Sequence, residues 1–322
     1  MREPVFDDVL DAQKRIAAYL QPTPFHEVPV LSERLGCRYY LKFESMQPIG
    51  AFKVRGGVNL VSRLGPEEKQ AGLITASTGN HGQSIAYAAR IFGVKALIAA
   101  PNGANADKIS AIERLGAEVA FAGEDFDDAR VWCEEQCEER GMRYVHSANE
   151  PRLIAGVATQ TLEIMESEPD IEVLIVPLGG GSGVCGAGLV AKHINPKIHV
   201  VGVQAEKAPA FYKSFYAGEL LPQPSADTFA DGLATRVPYE LTFSMIRRYV
   251  DEIVTVSEEE MCDAIRLLAS DVHVIAEGAG AAPTAAAMKM DLKGKRVAGV
   301  LSGRNLTSEH LDIILSGETP RP

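Results

Sequence analysis

The sequence predicts an α/β fold with two open, mostly parallel, twisted sheets that are flanked by helices. Short runs of apolar and β-branched residues alternate with stretches of helical periodicity along the 322-residue chain. This alternation is typical of parallel sheets, because each strand is joined to the next by a helix that packs on one face. Loops rich in glycine or in hydroxyl groups follow several strands. Ligands of such folds bind beyond the carboxyl ends of the strands, so we expect the functional site there.

The predicted elements follow one another in a regular order. A strand at 39–44 precedes a helix that begins at Lys53. Each of the next three strands, at 73–76, 95–100 and 118–121, is followed by a helix, at 82–92, 106–115 and 127–140. Further strands are predicted at 173–176, 199–203, 253–256 and 296–301, with a helix at 184–192. The sequence shows no repeat, low-complexity tract or long linker, and we expect two α/β units with a cleft between them.

Composition disfavours several classes of function. With 46% hydrophobic and 23% charged residues the chain has an ordinary globular composition, and its net charge of -11 argues against a nucleic-acid partner. The uncharged stretch 173–191 contains Pro177 and six glycines, which indicates a buried strand and a glycine loop rather than a membrane span. The N-terminus lacks the apolar core of a secretory signal, so we expect a cytoplasmic protein without a membrane partner.

Cysteine usage and acidic residues give no sign of a metal site. The five cysteines are scattered and odd in number, which favours buried thiols over a disulfide framework. Cys133 and Cys137 could share one face of a helix, but no second Cys/His pair completes a zinc set. The acidic clusters are interleaved with arginines, and we interpret them as solvated helix faces. We therefore expect no bound metal.

Lys53 is the first candidate for a reactive residue. It lies in the sequence GAFKVRGG at 50–57, where a strand and a Pro/Gly turn lead into a helix. A lysine at a helix N-terminus loses its proton more readily, and a neutral amine can form an imine with an aldehyde. The ordinary alternative is a solvated loop lysine, and only the other motifs of the chain argue against it.

Three loops at predicted strand ends supply further candidates. The loop ASTGNHGQ at 76–83 suits an anion such as a carboxylate, or it is a simple N-cap turn. The loop PLGGGSG at 177–183 can point its backbone amides inward as a nest for a phosphate. It lacks the spacing of a dinucleotide or nucleoside-triphosphate site. The loop LSGRN at 301–305 places Ser302 at a strand end, as a ligand or as a helix cap.

Together these motifs resemble the pyridoxal-phosphate enzymes of the tryptophan-synthase-β fold type (fold type II), specifically the threonine/serine dehydratase and serine racemase group. The resemblance rests on GAFKVRGG, STGNHGQ, GGGSG and LSGRN and covers nearly the whole chain. It implies a pyridoxal phosphate site in the cleft between a large and a small domain. We expect the large, cofactor-binding domain at 1–48 and 138–322 and the small domain at 49–137. The resemblance also implies a homodimer.

The resemblance implies a role for each residue that matches the cofactor site. Lys53 is implied to form the internal aldimine with pyridoxal phosphate, and Phe52 to lie by the ring. Asn80 is implied to hydrogen-bond the 3-oxygen of the cofactor, and Ser302 to face the pyridine nitrogen. The loop that is implied to hold the phosphate consists of Gly179, Gly180, Gly181, Ser182 and Gly183.

The residues implied to surround the substrate are fewer. Ser77, Thr78 and His81 are implied to line the pocket for its carboxylate. Arg304 stands where the family usually has glycine, and it is either an exposed or paired arginine or a cation that recognises an acidic or unusual β-substituent. In the racemase, carboxylates that bind a divalent cation follow a strand here matched by 200–203. The matching positions look like Gln204, Ala208 and Ala210, which argues against that metal site, although Glu206 lies nearby.

The implied reaction is a β-elimination. A serine at the pyridine nitrogen makes the cofactor a weaker electron sink than an aspartate would, which favours loss of a β-substituent over transamination. We expect dehydration of a β-hydroxy-α-amino acid such as L-threonine or L-serine to a 2-oxo acid and ammonia, with Lys53 as the base. One alternative is racemisation, with Thr78 as a second base. Others are dehydration of 3-hydroxyaspartate or phenylserine, and a non-catalytic amino-acid or phosphate-binding module on the same fold.

Overall fold

The structure, a computed structural model, describes residues 2–77, 79–124 and 126–321. The strands in these ranges are β1 (Phe25–Glu27), β2 (Arg38–Phe43), β3 (Leu73–Ala76), β4 (Ala96–Ala100), β5 (Glu118–Phe121), β6 (Arg143–Tyr144), β7 (Val173–Pro177), β8 (His199–Ala205), β9 (Glu252–Val256) and β10 (Arg296–Leu301). The helices are α1 (Phe6–Ile16), α2 (Pro29–Leu35), α3 (Lys53–Ser62), α4 (Pro66–Ala71), α5 (Asn80–Phe92), α6 (Ala106–Arg114), α7 (Phe126–Arg140), α8 (Pro151–Ser167), α9 (Ser182–Ile194), α10 (Ala210–Ala217), α11 (Glu240–Tyr249), α12 (Glu258–Leu267), α13 (Gly278–Ala287) and α14 (Ser308–Leu315).

The strands form two sheets, and the predicted fold class is confirmed. The larger sheet has the order β1-β2-β10-β7-β8-β9 and the smaller one the order β5-β4-β3-β6. Every pair of neighbouring strands in the described residues is parallel except β1 with β2. The predicted strands at 73–76, 118–121 and 296–301 have the observed bounds, while β1 and β6 were not predicted. These two strands are three and two residues long, too short for a recognisable period.

The small sheet extends beyond the predicted domain boundary. Strand β6 follows residue 137, where the sequence analysis ends the small domain, and it pairs with β3 through Leu73–Arg143 and Ile74–Tyr144. We therefore propose that the small unit continues through β6 and that the chain returns to the large unit in α8.

The large sheet is buried on both faces, as parallel strands require. Along β7, Val173 and Ile175 belong to one core cluster, and Leu174 and Val176 belong to the other. Helices α12 and α13 contribute to the first cluster, and α8, α9 and α11 to the second. None of the helices in the described residues is long and apolar enough to cross a bilayer. The loops at the carboxyl ends of the strands are thus held by a packed three-layer core.

A buried ionic cluster, defined here as Lys42, Glu44, Arg55 and Glu163, ties α3 to β2 and α8. Arg55 donates two hydrogen bonds to Glu44, at 2.7 and 2.8 Å, and two to Glu163, at 2.6 and 2.8 Å. Lys42 donates to Glu163 and, at 2.8 Å, to the carbonyl oxygen of Thr23. The two positive and two negative charges balance, which is what a buried ionic group needs to be tolerated.

Candidate active site

One cavity of about 320 Å³ lies between the carboxyl ends of the two sheets. Most of the residues singled out in the sequence line it: Phe52, Lys53, Ser77, Asn80, His81, Gly179, Gly180, Gly181, Ser182, Gly183 and Ser302. Thr78 lies outside the described residues. Arg304 is exposed and is not among the described residues that line the cavity. Its side chain passes Gly50 instead, and the structure gives no support to a contact between Arg304 and a substrate in the cavity.

Main-chain hydrogen bonds fix Lys53 relative to Ser302. The amide of Phe52 donates to the carbonyl oxygen of Ser302 at 3.0 Å, and the amide of Arg304 donates to that of Gly50 at 2.9 Å. The end of β10 therefore holds the turn that precedes α3. Lys53 and Ser302 lie beside this short antiparallel contact between Ala51 and Gly303, and both residues line the same cavity.

The amine of Lys53 is buried without an acidic partner. Its Nζ donates to the carbonyl oxygen of Ser147 and to Oγ of Ser182, each at 3.0 Å, and no carboxylate in the described residues pairs with it. Burial lowers the pKa of Lys53 from 10.5 to about 8. About a tenth of the amine is then neutral at pH 7, compared with less than about a thousandth for an ordinary lysine. The site thus supplies a nucleophilic amine close to neutral pH.

The loop after β7 requires glycine at several of its positions. A Cβ on Gly179 would lie 2.0 Å from the carbonyl oxygen of Gly232, and Gly181 has a φ of +101°. A Cβ on Gly183 would meet the ring of Phe52 at 3.2 Å. Helix α9 begins within this loop, at Ser182, so the unpaired amides of its first turn face the same cavity. A glycine loop at a helix N-terminus is a binding site for a phosphate.

Ser77 caps the helix that follows β3. Its Oγ accepts hydrogen bonds from the amides of Gly79, at 3.2 Å, and Gly82, at 3.0 Å. This explains why α5 begins at Asn80, two residues before the predicted start. The N-cap interpretation and the anion-site interpretation of this loop are compatible, because the cap leaves the other amides of the first turn unpaired.

The partners of His81 determine which of its nitrogens carries the proton. The hydroxyl of Thr75 donates to the carbonyl oxygen of Val145 at 2.6 Å, so its oxygen accepts from Nε2 of His81, 2.9 Å away. Nδ1 is then a buried acceptor without a partner among the described residues. Burial and the charge of Lys53 lower the pKa of His81 to about 3. His81 is therefore neutral and offers no positive charge to a carboxylate.

Glu277 lies in the cavity beside Asn80 and was not among the predicted site residues. Its Oε1 accepts from Nδ2 of Asn80 at 2.7 Å, and its Oε2 accepts from the amide of Asn305 at 3.1 Å. Burial raises the pKa of Glu277 to about 7, against the opposing effect of these two hydrogen bonds and of Lys108. The sequence alone could have drawn attention to Glu277, because it is the one Asp, Glu, Lys or Arg in the stretch between Val272 and Met288.

Lys108 and Asp231 also line the cavity and were not predicted. Lys108, on α6, forms an ion pair with Asp231, which lies in the loop before α11. The pair joins the unit of the small sheet to that of the large sheet across the cavity mouth. No local pattern marks either residue, because their contact depends on how the two units are placed.

The comparisons with known proteins agree with this geometry. Residues 16–303 match the family model described as pyridoxal-phosphate dependent enzyme. The chain belongs to this family. It is 42% identical to the L-threonine ammonia-lyase of Thermotoga maritima over 96% of this chain and 78% of that protein. It is 36% identical to the catabolic L-threonine dehydratase of Escherichia coli over 93% of this chain and 92% of that protein.

Solved structures of the same family superpose on nearly the whole chain. Maize serine racemase superposes with a TM-score of 0.92 and 30% identity, and the aligned region covers 96% of this chain and 96% of that one. Threonine deaminase isoform 2 from Solanum lycopersicum has a TM-score of 0.90 and 30% identity over 98% of this chain and 94% of that one. The resemblance inferred from the sequence motifs, including the fold type and the cofactor, is confirmed.

The residues present fit pyridoxal phosphate. Lys53 presents a buried amine that no acid neutralises, which suits attachment to an aldehyde. The glycine loop and the first residues of α9 line the cavity, and the backbone amides at this helix N-terminus suit a phosphate. The hydroxyl of Ser302 has no hydrogen-bond partner among the described residues and is free to meet a ring nitrogen. One N–H of Asn80 also remains unpaired. We propose these roles for the individual residues.

Proposed function

We propose that the protein is an ammonia-lyase that dehydrates a β-hydroxy-α-amino acid, such as L-threonine or L-serine, to a 2-oxo acid and ammonia. Support comes from the L-threonine ammonia-lyases and dehydratases that are 36–42% identical to this chain over most of its length. In the structure, the observation that carries the proposal is the combination in one cavity of a buried amine, Lys53, and a serine hydroxyl, Ser302, at the end of β10.

Pyridoxal phosphate, when bound, supplies an electron sink for the α-carbon of an amino acid. Ser302 carries no charge that could stabilise a pyridinium, so the sink stays weak and prompt loss of a β-substituent is favoured. Lys53 Nζ takes the α-proton, and as the β C–O bond breaks the departing hydroxyl receives that proton from Lys53 Nζ and leaves as water. The released enamine tautomerises to an imine, which water converts into the 2-oxo acid and ammonia.

The substrate carboxylate needs donors other than His81. That imidazole is neutral, and its proton is directed to Thr75. We therefore assign carboxylate binding to main-chain amides at the start of α5, where the helix dipole favours an anion. His81 lines this region and supports the loop rather than supplying charge.

A substrate panel tests the proposed function. The purified holoenzyme is incubated with L-threonine, L-serine, threo-3-hydroxyaspartate and phenylserine, and 2-oxo acid and ammonia are both measured. L-alanine, which has no β-leaving group, is the control substrate. We expect equal amounts of oxo acid and ammonia from at least one β-hydroxy amino acid and none from L-alanine. Absence of oxo acid with every one of them contradicts the proposal.

Racemisation is a second candidate because maize serine racemase superposes on the chain with a TM-score of 0.92. A racemase needs a proton donor on the face opposite Lys53, and the family resemblance implies this role for Thr78. D-serine formation from L-serine, measured beside pyruvate, tests the assignment. Thr78→Ala is expected to abolish D-serine formation and to spare elimination. If both activities fall equally, Thr78 is not a separate second base.

We further propose that the protein is a cytoplasmic homodimer. The family resemblance supports the dimer, and five unpaired cysteines, four of them buried, fit a reducing compartment. Light scattering should give about twice the chain mass of 34.6 kDa. A particle with the mass of one chain contradicts the dimer.

A further inference from the structure

Three polar side chains at one edge of the cavity form a closed hydrogen-bond network. Asn80 Nδ2 donates to Glu277 Oε1 at 2.7 Å, and Asn305 Nδ2 donates to Asn80 Oδ1 at 2.6 Å. Asn305 also donates from its amide to Glu277 Oε2 at 3.1 Å and from Nδ2 to the carbonyl oxygen of Ile49 at 2.9 Å. Each pair of these three residues is therefore joined directly, Asn305 to Glu277 through the main-chain amide of Asn305. Asn80 begins α5, whereas Glu277 and Asn305 belong to the large unit.

The network admits one orientation of the Asn80 amide. With the amide reversed, its nitrogen would face the Nδ2 donor of Asn305, a donor–donor contact whatever the protonation state of Glu277. Its oxygen would face Oε1 of Glu277, an acceptor–acceptor contact when Glu277 is ionised. Asn305 cannot reverse to relieve this, because its own oxygen would then face the carbonyl oxygen of Ile49. The amide of Asn80 is thus fixed by its neighbours.

This orientation leaves one hydrogen-bond donor unused. Of the two Nδ2 hydrogens of Asn80, one is taken by Glu277, and the other has no acceptor among the described residues. Asn80 is partly exposed to the cavity that it lines. Glu277, by contrast, is 9% exposed, and both of its oxygens are engaged within the network.

We propose that Glu277 and Asn305 are positioning residues that hold the Asn80 amide with its free N–H directed at the ring oxygen of bound pyridoxal phosphate. Glu277 accepts one Nδ2 hydrogen of Asn80, which leaves the other Nδ2 hydrogen directed into the cavity. Asn305 fixes the amide oxygen on the opposite side. Since Asn80 lies on the small unit and its two partners on the large unit, the donor is correctly placed only when the two units are packed as in this structure. The inference rests on the proposed placement of the cofactor beside Asn80 and is independent of the substrate.

A double-mutant cycle on cofactor binding tests the proposal. The dissociation constant of pyridoxal phosphate is measured for the wild type, Glu277→Ala, Asn80→Ala and the double variant, together with the absorption band of the bound cofactor. Loss of one hydrogen bond to a charged oxygen weakens binding roughly tenfold. We expect about this loss for Asn80→Ala and for Glu277→Ala. In the Asn80→Ala background, Glu277→Ala should change the affinity by less than about twofold, because its effect passes through Asn80.

The spectrum separates positioning from a general structural role. Both single variants should shift the absorption band of the bound cofactor in the same direction, because both remove the donor from the ring oxygen. Glu277→Gln keeps an acceptor oxygen and should restore part of the affinity and of the spectrum. It also serves as the second variant if Glu277→Ala does not fold.

Asp251→Asn is the matched control. This change from carboxylate to amide lies at the amino end of the large sheet, where Asp251 accepts from the amide of Val200 at 2.7 Å and from Lys192 at 2.6 Å. Its spectrum and cofactor affinity should equal those of the wild type. Equal losses from Glu277→Ala in both backgrounds, or an unchanged spectrum in Glu277→Ala, overturn the inference and leave the proposed function intact. A wild-type protein that binds no pyridoxal phosphate overturns both.

Discussion

Two lysines on opposite sides of the same turn, Lys42 buried and Lys53 half-buried, differ in the groups that surround them. Lys42, in the ionic cluster, is 1% exposed and pairs with Glu163, while Glu44 and Arg55 complete a neutral set. Lys53 reaches only a carbonyl oxygen and a serine hydroxyl. Burial lowers the pKa of both lysines, but only at Lys42 do carboxylates oppose the effect.

The difference shows how one helix supports both stability and chemistry. Lys53 and Arg55 are two positions apart on α3, so their side chains point to roughly opposite faces of the helix. Arg55 anchors one face to Glu44 and Glu163, and the other face presents Lys53 to the cavity. The amine of Lys42, paired with carboxylates, stays charged and unreactive. The amine of Lys53 has no opposite charge nearby, so its pKa falls and it can act as a nucleophile or base.

The largest expected effect is the loss of catalysis on removal of the unbalanced lysine. Lys53→Ala removes both the cofactor attachment and the base, and it should lower kcat/KM by at least about 10³-fold. The ionic cluster is untouched, so the far-ultraviolet circular dichroism should not change. Steady-state kinetics with the best substrate of the panel measure the loss. Retention of activity by Lys53→Ala would falsify the proposed mechanism altogether.

The next effect concerns the balanced side of the helix. Arg55→Met leaves two buried carboxylates with only Lys42 to neutralise them, and it should lower the free energy of unfolding by about 3–5 kcal/mol. Denaturant unfolding of the apo protein measures this change. If Arg55→Met lowers the free energy of unfolding by less than about 1 kcal/mol, the ionic cluster does not stabilise the packing of α3. The surface variant Arg2→Met, which removes a largely exposed pair with Asp8, is the control and should change stability by less than about 1 kcal/mol.

The pH dependence of cofactor attachment sharpens the contrast. Since the pKa of Lys53 is lowered to about 8, the rate at which pyridoxal phosphate attaches to the apo protein should rise about tenfold from pH 6 to pH 7 and level off above pH 8. An ordinary lysine would continue to gain rate toward pH 10. Stopped-flow absorbance measures attachment, with Lys53→Ala as the blank. A rate that still rises steeply above pH 9 contradicts the proposed environment of Lys53.

The sequence located the parts of the site that depend on local patterns. The strand ends predicted at 76, 176 and 301 follow from periodicity, and the observed ends are at 76, 177 and 301. The loops after them follow from glycine and hydroxyl content, and these loops meet because parallel strands share one edge. Lys53 was placed correctly at the start of α3 for the same reason.

Long-range pairing was beyond sequence reasoning. Glu277 joins Asn80 across 197 positions of the chain, and Lys108 joins Asp231 across 123, so no local period could reveal either contact. Which ring nitrogen of His81 carries the proton likewise depends on Thr75 and Val145, and these residues meet His81 only in the folded chain. Arg304 shows the opposite case, because this residue is adjacent in sequence to the site but is exposed and does not line the cavity.

The smallest predicted effect is a gain in stability from the same lysine whose loss abolishes catalysis. Lys53→Met removes a buried amine that lacks an acidic partner and should raise the stability of the apo protein by about 0.5–2 kcal/mol at pH 7. The native pKa of Lys53, about 8, lies below its ordinary value of 10.5. The penalty for burying the charged amine is therefore complete below pH 8 and declines as the pH rises toward 10.5. Thermal unfolding at pH 7 and pH 10 should show the gain shrinking at the higher pH. Lys42→Met, which unbalances the ionic cluster, should instead destabilise the protein at both pH values, and a stabilised Lys42→Met would remove the distinction between the two lysines.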